Sequence, residues 1–111
     1  MSRITGIAVL LLAALLEAGG DALMRVGLYK HLPGQRALFF ALAAGGLFAY
    51  GWTVNAPPWD FGKLIGIYVV FFFLIAQLIS WLVFKQIPSL TFAIGGMLIV
   101  AGGVVISMAK S

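Results

Sequence analysis

Four long runs of apolar residues fill almost the whole chain, and the breaks between them are only a few residues long. The runs extend over about residues 4–29, 37–54, 62–84 and 90–108. A helix needs roughly 20 apolar residues to cross the hydrocarbon of a bilayer, so each run is a candidate span. Only 9% of the 111 residues are charged, against 63% hydrophobic. A soluble domain carries about 25% charged residues. The outer surface must therefore face lipid. The expected fold is an all-α membrane protein of four transmembrane helices, a single domain over residues 1–111.

The chain has no cysteine, which removes disulfides, thiolate metal sites and cysteine nucleophiles. The net charge of +4 comes from bases scattered singly at the ends of the runs. Lysine and arginine take such places at lipid headgroups, so the expected partner is the bilayer and not nucleic acid. No phosphate loop, nucleophile triad or soluble carboxylate pair is present, and neither an enzyme nor a cofactor is expected. His31 has no cysteine, histidine or acid at metal spacing. It reads as a headgroup-facing residue.

The connections are punctuated by turn formers. Lys30-His31-Leu32-Pro33-Gly34-Gln35-Arg36 makes the first, Asn55-Ala56-Pro57-Pro58-Trp59-Asp60 the second and Lys85-Gln86-Ile87-Pro88-Ser89 the third. Asp60 and Ser89 stand where N-caps are wanted. Trp52 and Trp59 suit an interfacial aromatic belt, and Lys110 an anchor. Gly45 and Gly46 allow close helix packing. Arg3, the apolar residues 4–16 and Ala18-Gly19-Gly20 also fit a secretory signal with a cleavage site. Against this, apolar residues continue past the acids through Leu23, Met24, Val26 and Leu28, which favours one helix with a polar stripe.

Short connections make consecutive helices antiparallel neighbours and put both termini on one side. Arg3, Lys63 and Lys110 lie on that side, against Lys30, Arg36 and Lys85, with Arg25 deeper on the other. The positive-inside bias is nearly nil. Either so few charges make the count uninformative, or the chain inserts both ways and pairs as an antiparallel dimer, the single-chain counterpart of an inverted repeat.

The acids of the first helix stand out. A charged side chain at the bilayer centre costs at least about 2.5–3.5 kcal/mol. Glu17 lies near the middle of its span. By default it is a proton carrier, an ion ligand or the counter-ion of a cationic substrate; the plainer alternative is a hydrogen bond between helices. Asp21 and Arg25 follow at intervals of four residues, so all three share one helix face. One arrangement pairs Arg25 with Asp21 and leaves Glu17 to titrate alone. The other keeps two acids for a substrate with more than one positive charge.

With these residues in place, the sequence resembles the small multidrug resistance family of bacterial transporters over nearly its whole length. Leu16-Glu17-Ala18-Gly19-Gly20-Asp21-Ala22-Leu23-Met24-Arg25 is similar to the family pattern of a glutamate, a glycine three residues on and a Leu-Met-Lys/Arg ending. Trp81 and Gln86 fall where similar sequences carry Trp and Gln. Gly95-Gly96-Met97-Leu98-Ile99-Val100-Ala101-Gly102 resembles the family's dimerisation stretch. Gly95 and Gly102, seven apart on one helix face, allow close backbone approach.

The resemblance implies a homodimer, antiparallel or of dual topology, in the bacterial cytoplasmic membrane. Two copies of Glu17 would form one central site that exchanges protons for a small organic or hydrophobic cation. Tyr68 falls at the position of a site-lining tryptophan, where it can stack on a cation or hydrogen-bond to Glu17. Gly20, Arg25 and Trp81 are the expected supporting residues, and Asp21 an additional binding acid.

The chain also departs from the pattern. It reads Ile65-Gly66-Ile67-Tyr68-Val69-Val70-Phe71-Phe72-Phe73 where the family has Tyr-Ala-Ile-Trp and a Gly-x-Gly kink, so Val70 and Phe72 replace the kink glycines. Ala41 and Ala44 fall near the positions of an aromatic or serine partner from the second helix. Asp21 replaces a small polar residue. These features describe a divergent member. They leave room for a non-transporting or heterodimeric subunit, or a flippase subunit for lipid-linked substrates with Arg25 in its pocket.

Overall fold

Ser2 opens the first helix by accepting the Thr5 backbone N–H on its hydroxyl at 3.1 Å, as an N-cap serine does. A computed structural model describes residues 2–109, so Lys110 lies outside the described residues. Among those residues the chain forms α1 (Arg3–Leu28), α2 (Pro33–Val54), α3 (Phe61–Leu82) and α4 (Leu90–Ser107). All four are long and apolar enough to cross a membrane, and the chain is a multi-pass membrane protein. At 1.5 Å per residue α1 is about 39 Å long and α4 about 27 Å, against a hydrocarbon core of roughly 30 Å.

The first connection is shorter than the sequence suggested. The turn expected over Lys30–Arg36 closes by Leu32, and α2 starts at Pro33. Proline fits the first helical position because the N–H it lacks has no intrahelical partner there. Leu32 before it is extended, with ψ 127°, as a residue preceding proline is driven to be. Asp60 takes the N-cap position of α3 but makes no capping hydrogen bond with its side chain. Ser89 does cap α4, accepting the Phe92 N–H at 3.1 Å. Beyond α3, Lys85 enters the left-handed region at φ 58°, and the Gln86 N–H donates to the Ser80 carbonyl at 3.0 Å.

The helices form a slab 51 × 35 × 19 Å. A helix with side chains is about 10–12 Å across, so the smallest dimension spans fewer than two. α1 sits between α2 and α3, and α4 packs mainly on α3 at the edge. The core joins Leu10, Ala13 and Ala14 of α1 to Val54 of α2 and to Leu64 and Tyr68 of α3. α1 and α2 approach closely at Gly20 and Gly46. A Cβ on Gly20 would stand 2.9 Å from Leu47, and one on Gly46 3.7 Å from the Gly20 Cα. Gly45, expected to share this role, faces open space.

Candidate functional site

Glu17 projects from the middle of α1 toward α3, where Tyr68 meets it. The Tyr68 hydroxyl donates to Glu17 Oε1 at 2.8 Å, and the Ala13 carbonyl lies 3.3 Å from the same hydroxyl. A phenol has one proton to give, and the carboxylate is both the nearer and the stronger acceptor. Tyr68 is only 3% exposed, so its ring is fixed by the α1–α3 core. Glu17 itself is half-buried. The arrangement is a fixed tyrosine holding a carboxyl group that retains an accessible side.

Tyr50 of α2 completes the cluster. Its ring centroid lies 5.5 Å from that of Tyr68, and its hydroxyl comes near the Glu17 carboxylate. The Phe72 ring continues the stack at 6.3 Å from Tyr68. The second helix therefore does supply an aromatic partner. It is Tyr50, and not a residue near Ala41 and Ala44 where the family comparison places that partner. Long helical side chains lean back over the turn N-terminal to them. In α2 that direction is toward the α1–α2 turn, which brings a residue beyond the level of Glu17 back toward it.

Asp21 and Arg25 sit one and two turns farther along α1, and they do not pair. The Arg25 guanidinium lies over the Phe84 ring, 5.4 Å from its centroid, and Asp21 gains no charge partner from it. Both border a cleft of about 350 Å³ between α1 and α3, with Gln77, Ser80 and Gln86 on the opposite wall. Ser80 donates its hydroxyl to Gln86 Oε1 at 3.0 Å. Asp21 thus opens to a cleft beside the Glu17 cluster while Glu17 takes the tyrosine.

The remaining expected residues divide. Gly20 supports the site by letting α2 close on α1. Trp81 is 54% exposed on α3 and does not border the Asp21–Arg25 cleft. In α4 two heptad-spaced pairs point in different directions. Gly96 packs on the Phe73 ring and Gly103 on Val70, whereas a Cβ on Gly95 or Gly102 would meet nothing within 4 Å. α3 runs unbroken through Val70 and Phe72, the positions compared above with kink glycines. Val70 there fills the space opposite Gly103, so the small residue of that contact comes from α4.

No protein-family model matches this chain, and no curated protein or solved structure matches it either.

Proposed function

We propose that this protein is a divergent small multidrug resistance transporter of the bacterial cytoplasmic membrane. It would work as a homodimer that exchanges protons for a small organic or hydrophobic cation. The observation that carries the reading is the hydrogen bond from Tyr68 to Glu17 at mid-span. An acid at that depth is costly, and a tyrosine from another helix orients it while one side stays open. Proton and cation would compete for the same carboxylate, which is the minimum an antiporter requires.

The slab supports a dimer. A structure 19 Å thick has too few helices around Glu17 to enclose a pathway, and a second copy would form the opposite wall. The outward pair Gly95 and Gly102 offers α4 a surface on which backbones can approach. Asp21, lining the neighbouring cleft, would add a second acid per subunit on the path to the centre.

The test is transport in liposomes. An outward-directed proton gradient should drive uptake of tetraphenylphosphonium or guanidinium, and Glu17→Gln should abolish it. Coupled transport that survives the substitution rules the mechanism out. The unbroken α3 favours a second reading, a non-transporting half of a heterodimer. That reading gains if the purified homodimer binds no cation.

A further inference from the structure

The end of the molecule that carries the termini contains a feature the transport site does not use. Arg3 at the start of α1, Lys63 in the first turn of α3 and Trp59 from the α2–α3 connection border a polar cavity of about 400 Å³. Asp60 and Ser107 complete its rim. Among the described residues, two bases stand against one acid there. Lys63 gives one of its donors to the Ala109 carbonyl at 2.8 Å, which fixes its ammonium at the cavity. Trp59 is held in turn, with its ring lying against Gly6 of α1 so closely that a Cβ there would be 2.5 Å away.

Beneath this cavity lies a second one, of about 300 Å³. It shares Arg3, Trp59, Ile67 and Ser107 with the first and continues toward the membrane centre past Ile7, Val70, Phe71 and Val104. The polar chamber sits at helix ends, at headgroup level, and the apolar groove descends between helices from its floor. A free phosphate ion would use only the upper chamber. An amphiphile with an anionic head and a hydrocarbon tail fits both.

We propose that this continuous cavity is a binding site for one anionic phospholipid. Its phosphate would sit between Arg3 and Lys63, its glycerol beside Trp59 and Ser107, and one acyl chain along Ile7, Phe71 and Val104. Basic pockets between transmembrane helices select anionic headgroups, and each base near a membrane surface is worth about 1 kcal/mol. That energy corresponds to roughly fivefold in affinity per base. The site lies at the opposite end of α1 from Arg25 and is independent of whether Glu17 transports.

Trp59 lines both cavities and serves as the reporter. With Trp52 and Trp81 replaced by phenylalanine, Trp59 fluorescence is recorded in vesicles containing brominated phosphatidylglycerol or brominated phosphatidylcholine. Brominated phosphatidylglycerol should quench at a lower mole fraction. Arg3→Gln should weaken that preference about fivefold, and the further change Lys63→Gln should remove it. Among the described residues the Arg3 side chain makes no hydrogen bond; circular dichroism monitors the fold of the single and double variants. Equal quenching by the two lipids in the parent would overturn the proposal. So would a phosphatidylglycerol preference that survives Arg3→Gln unchanged.

Discussion

At the scale of single residues, the Tyr68 hydroxyl sets the state of Glu17. Tyr68→Phe keeps the buried ring and deletes the donor to Glu17 Oε1. Hydrogen bonds to charged groups contribute about 1.5–3 kcal/mol. The variant should therefore fold normally and change cation affinity at least tenfold, measured by isothermal titration with tetraphenylphosphonium. Unchanged affinity would mean that the tyrosine is only structural. Glu17 was legible in the sequence because an acid in a long apolar run is conspicuous, and Tyr68 because of the resemblance. Tyr50 was not, because its reach depends on side-chain direction across an antiparallel pair and not on spacing within one helix. The Asp21–Arg25 pair, one of the two arrangements the spacing allows, does not form for a related reason. An i,i+4 interval permits contact, but Phe84, distant in sequence, offers the guanidinium a ring to lie on.

A second residue-scale contrast concerns adjacent glycines. Gly19 has nothing within 4 Å of a would-be Cβ, whereas Gly20 faces Leu47 at 2.9 Å and the Ala43 carbonyl at 3.3 Å. Gly20→Val should destabilise the subunit by about 1–3 kcal/mol, the usual cost of overpacking. Gly19→Ala should leave thermal unfolding in detergent unchanged or raise its midpoint, since alanine is the better helix former by about 1 kcal/mol. Equal losses in both would contradict the α1–α2 crossing described here.

At the scale of the elements, α4 separates two kinds of contact. Gly103 meets Val70 and Gly96 meets Phe73 within the subunit, while Gly95 and Gly102 face outward. Gly103→Val should lower the unfolding midpoint of the subunit by pushing α4 off α3. Gly102→Val should leave that midpoint in place and weaken the proposed dimer, read by cross-linking or analytical ultracentrifugation in detergent. A dimer unaffected by Gly102→Val would move the interface elsewhere. The existence of the four helices was readable from run length alone. The start of α2 was not, because the turn residues Pro33-Gly34-Gln35-Arg36 look like a loop, yet proline is well suited to the first position of a helix.

At the scale of the whole molecule, the slab leaves Glu17 without an opposite wall. Only 19 Å thick, with Met97 and Leu98 of α4 about 70% exposed, it presents apolar surface that lipid or a second copy must cover. The near balance of charge between the two ends is compatible with insertion both ways, which the proposed antiparallel dimer requires. Reporter fusions at the C-terminus should give signal on both sides of the membrane. Signal on one side alone would exclude an antiparallel pair of identical chains.

Coupling between proton and cation at one carboxylate is the central claim, and it is measured most directly without a membrane. Purified protein in weakly buffered detergent is mixed with a saturating hydrophobic cation, and the protons released are counted with a pH indicator. Cation binding should release protons in proportion to the cation bound, and Glu17→Gln should release none. Cation bound with no proton released, or equal release from the Glu17→Gln protein, would contradict the account.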